Sequence, residues 1–496
     1  MMVLGSLQVL FTFSVVAAAH PDRDAPLRFG IPLPLAQIEQ GIALSGPSSA
    51  QFGWRLLQHH PGESVDHVWV ECAIDPAPSG RYRLLGRPGQ GSGSSLRVER
   101  TVNDAGITLK WPVSGVVDTM RRVREGAVFR TSFSPGWSAR AVRMLPEGGA
   151  AWRQALVGVG LPKAKPGRAA RSLRTELREA VASMRRAGGR ARGDYLRGEG
   201  DAVVVTNLEF DTTLGFLRLA QSADPASNVR AALLERAYES AYHLLDQDLH
   251  VGSGLPYRHG RGHRTALPES GHVWVRGVLW TGCLFADEVL IEGALDVARA
   301  LARKVSVGDV PKHARDVGAP LLELEDSLRF SAEPLLREAC DRLGGDLLRR
   351  WDAGAGVFRF EEGEAATGSE AYKERLWQTA SCVVPGFRRF VARTGSAEGR
   401  SILKALESRL LRLLRSGQPG LPMRYWVGVD GEVFGVLRRE HSAAAAMVLE
   451  GLSPAGFKKA FARRQVQRSL RGMIDPDSLD LATEVSMLAR LDWVYR

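Results

Sequence analysis

The chain has 496 residues, a net charge of +11, 44% hydrophobic residues and 24% charged residues. That length excludes one small core and predicts two or three domains, and the composition excludes a disordered or fibrous chain. The basic balance favours acidic partners, but no paired Cys/His zinc ligands and no aromatic RNA-binding segment accompany it, so nucleic acid is not an expected partner.

Residues 3–19 are apolar and end in Ala17-Ala18-Ala19. They fit either a signal peptide cleaved before His20 or a first strand with Leu7, Val9, Phe11, Phe13 and Val15 on one face. The first reading implies a secreted or periplasmic protein and the second a cytoplasmic one. No later run reaches the length of a membrane span, so no membrane partner is expected. Residues 25–160 read as short strands separated by Gly, Pro, Ser, Asn and Asp clusters, the pattern of an antiparallel β barrel or sandwich. The strand segments are 28–35, 65–74, 81–85, 96–102, 107–111 and 127–133. Residues 161–200 are rich in arginine and read as a basic linker, with Leu173–Met184 able to form an amphipathic helix. A binding site for a polyanion is the competing reading of this stretch.

From about 201 to 496 the apolar period becomes 3.6, predicting helices at 212–221, 229–249, 273–305, 321–343, 376–392, 397–415, 441–449 and 481–491. Antiparallel helix pairs over nearly 300 residues predict an α/α toroid, so the fold class is α+β. Met423–Val436 reads as a hairpin around Asp430-Gly431. The cysteines Cys72, Cys283, Cys340 and Cys382 are far apart without a CxxC pair, which predicts buried free thiols rather than a zinc framework.

Five of the eleven histidines fall within residues 207–285, among aromatics and glycines. Tyr257-Arg258-His259-Gly-Arg261-Gly-His263 offers a base, an acid and cations within seven residues, on a loop marked by Pro256 and two glycines. Elimination on a uronate needs a cation or amide on the carboxylate, a base for the adjacent proton and an acid for the leaving oxygen. His259 or His272 suits the base, Tyr257 the acid, and Asn207, Arg258 and Arg261 the carboxylate; Glu209, Asp211, His263 and Trp274 complete the candidate cleft. The plain alternatives are an N-cap for Asp211, helix packing or capping for His243 and His250, toroid core for Trp274 and Trp280, and an exposed loop pair for Arg258 and Arg261.

Phe29-Gly-Ile-Pro-Leu-Pro, the strand–turn–strand around His59-His60-Pro61-Gly62-Glu63-Ser64, Asn207-Leu-Glu-Phe-Asp211-Thr, Asp246/Asp248/His250, Gly271-His272-Val-Trp274 and Trp280-Thr281-Gly282 resemble the exo-type rhamnogalacturonan lyase family over about residues 25–300. The resemblance implies an N-terminal β-domain, an α/α toroid and β-elimination on an acidic, rhamnogalacturonan-like polysaccharide. The chain departs from the family's turn sequence and is short for its further C-terminal β-domain.

Two other classes compete. A toroid glycoside hydrolase would use two of Glu209, Asp211 and Glu269, and a non-catalytic protein would bind polyanions through its arginines. No cofactor is expected. A divalent cation on His259, His263, His272 and Glu269 is the metal alternative, disfavoured because Gly260 and Gly262 break the helix that a His-x3-His pair prefers.

Overall fold

A computed structural model describes residues 8–17, 27–34, 38, 41–47, 51–57, 67–75, 77–78, 80–86, 99–103, 106–111, 113, 117–125, 128–133, 142–147, 168–188, 193–198, 204–206, 210–223, 228–250, 252–258, 260–261, 267–308, 311–360, 373–414, 426–428, 433–434, 442–461, 466, 470, 474, 477 and 481–495. No helix among them is long and apolar enough to cross a membrane.

The N-terminal strands are β1 (Gln8–Ala17), β2 (Leu27–Pro34), β3 (Ile42–Ser45), β4 (Gln51–Leu56), β5 (His67–Asp75), β6 (Gly80–Gly86), β7 (Glu99–Asn103), β8 (Gly106–Lys110), β9 (Val117–Glu125), β10 (Val128–Phe133) and β11 (Val142–Glu147). They form three antiparallel sheets, ordered β11-β1-β6-β3, β2-β5-β4 and β10-β9-β8-β7. The expected β-rich region is there, but no closed barrel joins these sheets among the described residues. Residues 8–17, which allowed a leader or a strand, form β1, paired with both β6 and β11.

Alternation organises β2. Leu27, Phe29, Ile31 and Leu33 are buried, as a period of two predicts for one covered face. Arg28 and Gly30 point the other way, toward the helices. A Cβ on Gly30 would lie 1.6 Å from the Cys283 carbonyl oxygen, so only glycine allows this approach.

Twelve helices of six or more residues follow in the described residues. They are α1 (Arg168–Ser183), α2 (Thr212–Ser222), α3 (Asn228–His243), α4 (Arg276–Phe285), α5 (Glu288–Val307), α6 (Ala314–Ser327), α7 (Pro334–Arg350), α8 (Val384–Thr394), α9 (Ala397–Leu413), α10 (Ser442–Met447), α11 (Pro454–Phe461) and α12 (Leu481–Ala489). The even-numbered helices pack in order around a ring: α2 on α4, α4 on α6, α6 on α8, the π-helical turn Thr379–Val383 entering α8 on the turn that follows α10, α10 on α12, and α12 back on α2. The odd-numbered helices flank them, with α3 on α2, α5 on α4, α7 on α6, α9 on α8 and α1 on α12. That is a closed α/α toroid.

The basic stretch read as a linker therefore carries an outer helix, α1, whose Leu173, Leu177, Ala180 and Val181 are buried. The apolar run expected as one helix over 273–305 is split, because Ala286 is left-handed (φ 49°) and Asp287 caps α5. Asp287 Oδ1 accepts from Val289 N at 3.1 Å, and its Oδ2 accepts the Tyr238 and Tyr242 hydroxyls at 2.7 and 2.6 Å, tying α3 to α5. The hairpin expected at 423–436 exists as Trp426–Gly428 paired with Val433–Phe434, joined by Lys373–Glu374. All four cysteines are free and buried.

Candidate functional site

The N-terminal ends of α2, α4 and α6 converge, and the sequence makes them do so through buried carboxylates. Asp211 is the left-handed N-cap of α2. Its Oδ1 accepts from Leu214 N at 3.2 Å and its Oδ2 from Gly277 N at 3.1 Å, so one side chain caps α2 and also binds the first turn of α4. Glu323 of α6 accepts from Val275 N at 2.8 Å and Arg276 N at 2.7 Å. Burial, reinforced by the Asp211 charge, pushes the Glu323 carboxyl up to about 7. Burial likewise raises Asp211 above its ordinary range.

Phe210 precedes this cap and is also left-handed (φ 55°), an unusual state for a bulky residue. Its ring packs 6.1 Å from Trp274 and 6.0 Å from Trp377. Two guanidiniums lie over this cluster: Arg315 is 4.4 Å from the Phe210 centroid, and Arg490 is 5.1 Å from that of Trp274. Stacked arginines add to the aromatic packing and hold the cluster together.

From this core a polar chain runs outward. Arg315 donates to the Gly271 carbonyl at 2.7 Å and lies 3.2 Å from His272 Nδ1. An arginine can only donate, so His272 Nδ1 is the acceptor and its proton sits on Nε2. That Nε2 is 3.5 Å from Glu269, which is also paired with Arg258. The Glu269 side chain is 44% exposed and that of His272 is 12% exposed, so the carboxylate is the member open to solvent. Asp316, beside Arg315, accepts from Gly271 N at 2.9 Å. Burial raises its carboxyl, partly offset by the Gly271 N–H and the nearby His313 and Arg315, with a smaller upward push from the Glu269 charge.

Of the residues singled out in the sequence, the structure brings Arg258, His272 and Trp274 to this place, together with Glu269. Tyr257 is adjacent, its ring edge-on to His250 at 5.5 Å. Asp211 is there as the capping residue the alternative reading named, and Trp274 is buried in the toroid core. His272 has its lone pair turned to Arg315, which opposes its assignment as a base. Asn207, Glu209, His259 and His263 lie outside the described residues, and of Arg261 only the backbone is described, pairing with Val204. Sequence reasoning missed Phe210, Arg315, Asp316, Glu323 and Arg490. Arg315 and Asp316 gave no signal because they precede the helix expected at 321–343, whereas α6 starts at Ala314.

A second buried group lies apart from this chain. His243 Nε2 is 3.3 Å from Asp194 and 3.2 Å from Asp248. Burial disfavours the imidazolium, but the two carboxylates outweigh it and push its pKa up to about 11.

No family model and no curated protein matches the chain. Among solved structures, the chain is similar to a family 76 glycoside hydrolase from a bovine Bacteroides thetaiotaomicron strain, with TM-score 0.42 and 10% identity over 98% of each chain. A cellobiose 2-epimerase from Bacillus thermoamylovorans B4167 gives TM-score 0.40 and 10% identity, covering 64% of this chain and 86% of that one. A reducing end xylose-releasing exo-oligoxylanase gives 0.36 and 12%, covering 66% and 93%. At that distance these similarities carry no argument about activity.

Proposed function

We propose that this protein cleaves glycosidic bonds by hydrolysis at the N-terminal ends of α4 and α6. One observation carries the reading: Glu269 is half open to solvent, held between Arg258 and His272, and begins the short turn whose Gly271 N–H binds Asp316. Glycoside hydrolysis asks for one carboxyl that keeps its proton and one that stays ionised. In this reading Asp316, the carboxyl that burial raises, protonates the leaving oxygen, and Glu269 draws the proton from the attacking water. Arg258 and His272 hold the Glu269 side chain in place. The other carboxylates of the cluster, Asp211 and Glu323, are almost wholly buried and each accepts from two backbone N–H groups, so neither can reach a substrate.

The substrate is a carbohydrate chain. The net charge of +11 puts acidic polysaccharides first among candidates. The test is incubation with a panel of pectic, other uronate and neutral polysaccharides, following reducing ends and ultraviolet absorbance together. Reducing ends without absorbance support hydrolysis. Absorbance rising in step would overturn it in favour of β-elimination, with Tyr257 and His259 as the residues to substitute next. Silence on every substrate would leave a binding protein.

A further inference from the structure

Beyond that reading, and independent of it, we propose that Asp194, His243 and Asp248 form a structural site for a divalent transition cation of the zinc type. The three donor atoms lie within 4.8 Å of one another. All three residues are at most 4% exposed.

Geometry favours a shared ion over a pair of hydrogen bonds. A single ring nitrogen faces two carboxylates at 3.3 and 3.2 Å. A charge-assisted N–H···O contact is shorter, about 2.7–2.9 Å, and one N–H shared between two carboxylates makes only a weakened three-centre contact. Tetrahedral ligands bonded at about 2.0–2.2 Å sit about 3.3–3.5 Å apart, close to the two His243–carboxylate separations. Charge agrees. A divalent cation with a neutral imidazole balances the charge of the two carboxylates. On binding, the Nε2 proton passes to solvent and the lone pair becomes the ligand.

The backbone is built to hold these donors. α3 ends at His243 and passes into a π-helical turn, Leu244–Asp248. A π-turn aligns residues five apart, which places Asp248 over His243, where an α-helix would turn it away. Gly193 (φ +113°) brings the preceding chain within 2.5 Å of His243 Cβ, measured from where its own Cβ would stand, so a side chain is excluded there. Ser240 fixes that approach by donating to the Gly193 carbonyl at 2.7 Å. The Asp248 carbonyl accepts from Tyr257 N at 2.8 Å, and Leu249–His250 pairs with Leu255–Pro256. An ion here would therefore lock the base of the hairpin that presents Tyr257 and Arg258.

The test is elemental analysis of the full chain, purified without chelator or polyhistidine tag, followed by melting curves after EDTA dialysis and after adding back Zn²⁺ or Mn²⁺. We expect about one ion per chain, a lower melting temperature after EDTA, and recovery with the metal. His243→Gln and Asp248→Asn should hold no ion and ignore added metal. Wild-type protein that carries no ion and whose melting is unmoved by EDTA, Zn²⁺ and Mn²⁺ overturns the site and leaves a protonated His between two carboxylates. An ion retained by both variants overturns it too, because the ion then sits elsewhere. The wild-type measurements decide even if the variants fail to fold, and none of them depends on catalysis.

Discussion

Glu269 and Glu323 illustrate how differently two carboxylates of one cluster behave. Glu269 is half exposed, and Glu269→Gln is expected to lower hydrolysis by about 10²–10⁴-fold, the usual worth of a positioned acid or base, while leaving the melting temperature nearly unchanged. Glu323 is buried behind the first turn of α4 and pushed up to about 7. The folded protein thus binds this proton more tightly than the unfolded chain. The associated stability is complete below about 4.5, the ordinary Glu value, and is lost as pH rises toward 7. Denaturation midpoints should accordingly fall between those pH values in the wild type and fall less in Glu323→Gln. The sequence displayed Glu269 and His272 because polar residues stand out in a glycine-rich loop. It hid Glu323 and Arg490 because a lone charge in an apolar helical run looks like a surface position until the ring closes around it.

At the scale of elements, boundaries depend on single caps that periodicity does not register. The split between α4 and α5 is the clearest example: both halves are apolar at helical spacing, and only Ala286 and Asp287 separate them. Asp287→Ala removes a cap and the acceptor of two tyrosine hydroxyls. It should cost about 2–4 kcal/mol in urea denaturation. Combined with Tyr238→Phe and Tyr242→Phe the losses should be markedly less than additive, since all three changes break the same contacts. The β-region was legible as alternating strands, and β2 and β5 fall where alternation put them. Their grouping into three sheets was not, because which strand pairs with which depends on chain paths between distant segments rather than on local pattern.

Across the whole molecule, the β2 sheet and the toroid share a buried junction. Arg28 and Arg55 are paired with both Glu71 of β5 and Glu288 of α5, and Gly30 sits against the Cys283 carbonyl. Buried pairs of this kind tolerate loss of one partner poorly. Gly30→Val should therefore separate the two parts, turning one calorimetric unfolding transition into two, whereas Leu56→Val, at an exposed strand end, should keep one. The resemblance and the paired helical periods led to the toroid half of the architecture, but the expected N-terminal barrel or sandwich is three separate antiparallel sheets among the described residues.

The ring is closed by α12 packing on α2, helices that begin at Leu481 and Thr212. During synthesis the first inner helix must wait for the last. At about 5–20 residues per second, that delay is on the order of 10–50 s. For that interval the apolar wall destined for the centre, including Phe210, Trp274 and Trp377, has no final covering. Newly made chains should consequently depend on chaperone shielding, and a pause in translation upstream of residue 481 should favour aggregation far more than the same pause placed before residue 212.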